Sequence, residues 1–319
     1  AEKRIGHLYP KITAPGGTEH TVIAWKWART VISPNPANPI ETPLVNSWWL
    51  SKKKGKEAWV KATVVDGQVR YEVQHNADGP KKGEDGTRVG RGGISLADGT
   101  PISADYIKEQ GVQRGLGSHL IAIVAEDKKG RLYLSPNAEH MAASLVKAPD
   151  DIPLQEIPHN PRSHWTPAYG LTKFSDLFTN RQLVALTTLS ELVPEARSKI
   201  LEDALAAGIP AGERLEDGGI GAEAYADAVA TYLALGVSQQ SNRSATLNTW
   251  QPLGEKIAQV FTRQAIPMVW DYAETNPFSH STGNLIGQME WIGKVIAKVP
   301  AQMSGEVAQI SAMSSIITR

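Results

Sequence analysis

Four polar residues stand where a pair of metal-binding knuckles would place its ligands. Ser33 and Asn38, with four residues between them, lie in a Pro-rich corner. Ser95 and Asp98, with two between them, lie in a Gly-rich corner within Gly90 to Ile107. Each corner follows an extended apolar run, the first belonging to the stretch Thr21 to Leu50. A structural zinc takes its tetrahedron from thiolates and imidazoles, and the chain contains no cysteine. Serine and asparagine are poor zinc ligands, and one carboxylate cannot hold the ion. The corners are therefore expected to be metal-free, with their side chains hydrogen-bonding their own turns.

Other patterns that could carry chemistry are fainter. Amino-group methyltransferases of nucleic acids use a [D/N/S]-P-P-[Y/F/W] tetrapeptide, whose polar side chain accepts from the target amine while the aromatic ring stacks on a flipped base. Asn276, Pro277 and Phe278 approach this pattern but lack the second proline. They also follow an expected helix, where that motif follows a strand, so the reading is a helix stop and a turn. His159 and His164 form the closest histidine pair, without zinc-site spacing. The glycine clusters Gly90 to Gly93 and Gly115 to Gly117 do not sit between a strand and a helix as a phosphate loop requires. No GxSxG elbow is present, and Asp150-Asp151 reads as an acidic loop.

The elements that must position these residues divide the chain in two. Val22 to Ile32 alternates as a half-buried strand. Four prolines between Ser33 and Pro43 then end its pairing. Leu44 to Leu50 and Ala58 to Val65 read as strands around the basic turn Lys52-Lys53-Lys54-Gly55-Lys56, a solvated hairpin tip. Asp66-Gly67 joins Lys61 to Val65 and Gln68 to Val73 as a two-residue hairpin. Leu120 to Ala125 and Arg131 to Leu134 form another. Prolines recur from Ser135 to Pro167, around a short helical pattern at Ala138 to Lys147. Helices follow, capped by Thr179 or Asn180 with a break at Pro194 before Ala196 to Ala207, then over Ala222 to Gln239, over Gly254 to Glu274 with a kink at Pro267, and over Asn284 to Val299. Their apolar stripes are core faces. The expected fold is α+β: a β-rich domain over 1–135, a Pro-rich linker over 136–173 and a helical domain over 174–319.

With 319 residues, two domains are the natural prior. No apolar run is long enough to span a membrane and no signal segment opens the chain, so a cytoplasmic protein is expected. The formal net charge is zero, but residues 1–150 hold 21 Lys/Arg against 16 Asp/Glu and the remainder 12 against 17. A polyanion would favour the first half. The start at Ala1 and the apolar end at Ile316 to Arg319 read as a segment of something longer.

Several stretches resemble one family: IGHLYP at Ile5 to Pro10, VIAWKWART at Val22 to Thr30, PNPA at Pro34 to Ala37, SWWLSKKKG at Ser47 to Gly55, FTNRQLVAL at Phe178 to Leu186, and PMVWDYAETNPFS at Pro267 to Ser279. The resemblance is to the DUF1156 family, adenine-specific DNA methylases containing a zinc ribbon, and it runs nearly end to end. It implies that the positions of Ser33, Asn38, Ser95 and Asp98 are former zinc-ligand sites whose cysteines are lost. The expectation is a ribbon without zinc, held by Trp25, Trp27, Trp48, Trp49 and Trp59.

The resemblance also implies a central fragment inserted in a Rossmann-like methyltransferase, between an upstream S-adenosylmethionine loop and a downstream catalytic tetrapeptide. The parent would then use S-adenosylmethionine to methylate the N6 amine of adenine in DNA, and this fragment would bind no cofactor of its own. An acidic family position falls at Ser311-Ala312. The expected DNA contacts are Lys52, Lys53, Lys54 and Arg91 on the ribbon side, with Arg181, Asn242, Arg243 and Arg263 on the helical side. The alternative is a non-catalytic nucleic-acid or protein interaction module, a decayed paralogue. The sequence leaves the parent's activity and oligomeric state open.

Overall fold

The computed structural model describes residues 1–81, 83–128, 130–262 and 264–299. Among them are fifteen strands and six α-helices, and every strand pairing is antiparallel, giving a mixed α+β fold. The lead-in contains α1 (Glu2–Ile5), β1 (Ile12–Thr13) and β2 (Glu19–His20). Then come β3 (Val22–Ile32), β4 (Glu41–Leu44), β5 (Trp49–Ser51), β6 (Ala58–Val65) and β7 (Gln68–Gln74). The second corner is built from β8 (Arg88–Val89), β9 (Gly92–Ile94) and β10 (Pro101–Ile102), followed by α2 (Ala104–Arg114). Next are β11 (Gly117–Asp127), β12 (Gly130–Leu134) and α3 (Ala138–Ser144). The long helices α4 (Asn180–Ala206) and α5 (Ala222–Ser241) precede β13 (Trp250–Gln251), β14 (Lys256–Ile257), β15 (Asp271–Thr275) and α6 (Leu285–Ile296).

The central sheet runs β12-β11-β3-β15, with β4 also on β3. One edge of β3 is filled by β11; on the other, β15 pairs with Ala24 to Ala28 and β4 with Arg29 to Ile32. Because both edges and both faces are covered, β3 is buried from Val22 to Val31 and not on one face only. Both faces are covered, and sequence parity does not carry through the whole strand, because the β11 pairing shifts register opposite Val22 to Ala24. Trp25 and Trp27 enter a core with Tyr9, Ile123, Leu177 and Tyr272. Ile23, Ala24 and Ala28 enter another with Trp48, Leu50, Val60 and Ile121. A smaller core gathers Val31, Leu44, Ile102, Ile107 and Trp270.

The five expected ribbon tryptophans are thus not one cluster. Trp25 and Trp27 serve one core and Trp48 another, while Trp49 and Trp59 face each other across β5–β6.

Two expectations for the second half change. Gly254 to Glu274 is not a kinked helix: its described residues include β14 and the first four residues of β15, and all five residues of β15 are buried. Pro267 lacks the amide that a helix interior needs, and β15 instead pairs with Ala24 to Ala28 on the β3 edge that it shares with β4. The central sheet therefore takes a strand from the expected helical domain. Conversely, α4 continues through Pro194 for 27 residues. Pro194 lacks the N–H that would bond the Ser190 carbonyl, and because Ser190 is exposed, water can serve that oxygen.

In the first half, the strand expected over Leu44 to Leu50 is split into β4 and β5, and pairing with β3 resumes already at Glu41 to Pro43, since an edge strand tolerates proline. Several local signals act as expected. Asp66 and Gly67 both have positive φ, 52° and 73°, and set the β6–β7 register with Val65 opposite Gln68. The Thr179 hydroxyl caps α4 in a capping box with Gln182, and the Asn284 side chain caps α6. Among the described residues, no helix is long and apolar enough to cross a membrane.

Candidate nucleic-acid interface

The two corners meet. The Asn35 and Asn38 amides both donate to Asp98 Oδ2, at 2.6 and 3.1 Å, and the Thr100 N–H donates to Oδ1 at 3.0 Å. The Ser33 and Ser95 hydroxyls accept from Asn35 and Ala97 N–H within their own turns. The Thr100 backbone N–H, helped by the asparagine amides, holds the Asp98 carboxyl well below the usual carboxylate range. Of the four knuckle positions only Asp98 is a metal-ligand type, and its oxygens already accept three hydrogen bonds. The donor set does not fit zinc. Among the described residues no three His, Cys, Asp or Glu side chains gather elsewhere for a metal.

The residues expected to touch DNA are scattered. Arg181 is fully buried and bidentate on Glu274, at 2.9 and 2.8 Å, so it is a core residue and not a surface contact. The FTNRQL stretch that supplies it is a capped helix start, which drives its first turn into the sheet. Asn242 accepts from Phe261 N–H, and Arg243 donates to the Ile257 carbonyl at 2.9 Å; both tie α5 to the following loop. Lys53 pairs with Glu255, and Lys52 lies 3.7 Å from Asp85 and over the Trp49 ring. The basic turn is thus docked rather than simply solvated, with Lys54 remaining at the exposed tip. Arg263 and Ser311-Ala312 lie outside the described residues.

Asn276 follows strand β15, not a helix. Its side-chain amide donates to the Val22 carbonyl at 2.8 Å and accepts from Phe278 N–H at 2.9 Å, while Phe278 packs edge-on against Tyr9. The motif turns the chain from β15 toward α6, and both ends of its amide are already engaged.

Arg91 borders a sizeable cavity. About 730 Å³ in volume, it lies between the second corner, α2, the Pro-rich segment and the residues leading into β15. Its wall is aromatic: the Trp270 and Tyr169 rings meet edge to face at 4.9 Å, and Trp165 lies beside them. The Arg88 guanidinium sits 4.3 Å over the Trp270 ring and donates to the Arg91 carbonyl at 2.8 Å. Burial lowers the Arg88 pKa from its ordinary value. Lys108, His159, Asn160 and His164 complete the polar lining, which includes no carboxylate. Lys108 is paired with Asp105 at 2.9 Å, and His164 Nδ1 bonds the Pro158 carbonyl at 2.7 Å.

Local sequence explains how four distant segments converge. Gly111 of α2 and Gly170 after the turn Thr166–Tyr169 touch backbone to backbone, and a Cβ on either would collide with the other segment. Gly170 also adopts φ +85°, closing that turn. The Pro-rich segment is pinned by hydrogen bonds from Trp165 N–H to the Ile266 carbonyl and from Ile266 N–H to the Ser163 carbonyl. Arg29 N–H holds the Trp270 carbonyl at 2.8 Å, tying the wall to β3. The sequence singles out Arg91, and marks the His159/His164 pair only as a poor zinc site. It does not single out Arg88, Tyr169 or Trp270, because nothing local links residue 88 to residue 270. No protein-family model, no curated protein and no solved structure matches this chain.

Proposed function

We propose that this chain is the DNA-contact and scaffold segment of an S-adenosylmethionine-dependent DNA adenine-N6 methyltransferase, a ribbon-like and helical insert within a Rossmann-like enzyme. The observation that carries the reading is the carboxylate-free cavity, whose cations and aromatic rings are the chemistry that grips phosphate and base. The resemblance at Pro267 to Ser279 supports the adenine-methylase assignment. The engaged amide of Asn276 supports a scaffold role, with methyl transfer performed by parts of the enzyme outside this chain.

The test uses the full-length protein. Arg91→Glu lowers DNA affinity and reduces the slope of log K against log salt by about one for each phosphate it ceases to neutralise. An unchanged slope overturns the DNA-contact assignment. The engaged Asn276 also favours the second reading, a non-catalytic interaction module. Labelled S-adenosylmethionine separates the two: methyl transfer to adenine by the full-length protein supports the enzyme, and its absence alongside DNA binding supports the module. Robust turnover by residues 1–319 alone would overturn the placement of catalysis elsewhere.

A further inference from the structure

We infer that the Arg88–Trp270 cavity is a receptor for one unstacked nucleotide, its base against the Arg88, Trp165 and Tyr169 wall and its phosphate toward Arg91 and Lys108. The inference rests on the reading of this cavity as a nucleic-acid contact and adds what enters it.

Three observations converge. First, a volume of about 730 Å³ lies within the range of small-ligand cavities, roughly 300–1,000 Å³, and is too confined for a double helix. Nucleic acid can fill it only with a nucleotide taken out of the stack.

Second, the wall offers planar surfaces. Arg88 already lies over Trp270, 4.3 Å from the ring centroid, so its guanidinium plane is held in place by the ring beneath. Bases stack on arginine planes as they do on aromatic rings. Arg88 Nη1 is fixed by the Arg91 carbonyl, and its Nε is buried with no hydrogen-bond partner among the described residues. A ligand acceptor reaching this wall would answer that donor.

Third, the charges are arranged for an anion at the mouth. Arg91 is exposed, and its side chain has no ion-pair partner among the described residues. His159 lies on the same lining, as does Lys108, whose ammonium is shared with Asp105 outside the cavity; the lining itself contains no carboxylate. An uncharged aromatic ligand would not need these groups, and an inorganic anion would not need the wall. A nucleotide uses both.

The probes are dAMP, deoxyadenosine, inorganic phosphate, a 20-mer duplex, and the same duplex with one unpaired nucleotide. Binding to the full chain is read by calorimetry and by tryptophan fluorescence. dAMP should bind and quench, deoxyadenosine should bind about tenfold more weakly for want of the phosphate, and the unpaired nucleotide should raise duplex affinity by about tenfold, in line with base-stacking energies. Arg91→Ala should weaken dAMP binding about tenfold, as removal of one phosphate-binding cation does, while leaving the far-ultraviolet spectrum unchanged. Arg88→Ala should abolish quenching.

Should Arg88→Ala fail to fold, Trp165→Ala, at an exposed ring, supplies the same test. Equal affinity for both duplexes without dAMP binding overturns the nucleotide inference, and a surviving Arg91-dependent salt slope would leave the DNA-contact reading standing. Phosphate binding as tight as dAMP overturns the base-stacking wall. dAMP binding without DNA binding keeps the receptor but assigns it a free mononucleotide.

Discussion

The strand pair β3–β15 buries one ion pair on each face, and the two are built differently. On the face toward α4, Glu274 accepts from Arg181 Nε and Nη2, from the Thr179 hydroxyl at 2.7 Å and from Trp27 Nε1 at 3.0 Å. Arg181 also donates to the Leu8 carbonyl and lies 4.1 Å over the Trp25 ring. On the opposite face, Lys26 pairs with Asp271, whose other oxygen accepts the Asn46 N–H and side-chain amide at 2.9 and 2.8 Å.

The guanidinium fork and the carboxylate satisfy each other in a plane and fasten the sheet, the start of α4 and the lead-in segment at one point. The ammonium is a point charge that joins β3 to its neighbouring strand. The first pair therefore defines how distant segments assemble, and the second compensates charge within one sheet.

Breaking the first pair should have the largest effect. Arg181→Ala or Glu274→Ala leaves an uncompensated buried charge and should destabilise by about 3–5 kcal/mol in denaturant unfolding. Arg181→Lys keeps the charge but gives up the fork, the bond to Leu8 and the stacking on Trp25, so it should recover only part of that stability. Full recovery by lysine would mean that charge, not geometry, holds this junction.

Lys26→Met should cost less, about 1–3 kcal/mol, because Asp271 keeps both donors from Asn46. The double variant Lys26→Met/Asp271→Leu removes the pair and should return close to the parent stability. Equal destabilisation by Lys26→Met and Arg181→Ala would erase the distinction between the two faces.

The same contrast marks what the sequence made legible. Asp66-Gly67, Thr179 and Asn284 act within a few residues of themselves, and the structure places them as read. Lys26 and Arg181 look like surface residues until the strand and helix carrying them are packed, since only Asp271 and Glu274, more than 90 positions away, justify their burial. β15 was hidden by apolar residues at helical spacing and shows itself only through its pairing with β3. Helix α2, between the second corner and β11, has a weak apolar stripe; its Ser103 cap was the available signal. The cavity is the extreme case, because its wall joins residues 88, 169 and 270 through glycine contacts that no local pattern encodes.

Acid sharpens the comparison further. Burial alone would raise the Glu274 carboxyl, but Arg181, Thr179 and Trp27 together hold it below the ordinary value. A depressed carboxylate contributes stability that is complete above its unfolded pKa and disappears as pH falls through the folded one. Unfolding free energy of the parent should therefore decline on the acid side more steeply than that of Glu274→Gln, which cannot titrate there. Parallel pH profiles would show that Glu274 is not linked to the acid transition.

The smallest effect is expected at Asp98, where the two corners meet in solvent. Asp98→Ala removes the acceptor shared by Asn35, Asn38 and Thr100, yet the strands flanking the first corner stay paired through Arg29 to Ile32 opposite Leu44 to Glu41. The global unfolding midpoint should hardly move, because exposed hydrogen bonds exchange readily with water. Amide exchange at Thr100 should quicken, because its N–H no longer has its acceptor. Elemental analysis should find no stoichiometric zinc in either protein. A large drop in midpoint, or zinc that disappears with the Asp98 carboxylate, would mean that the corners still hold the fold together as a metal knuckle does, and the contrast between a packed sheet and a merely hydrogen-bonded corner would fail.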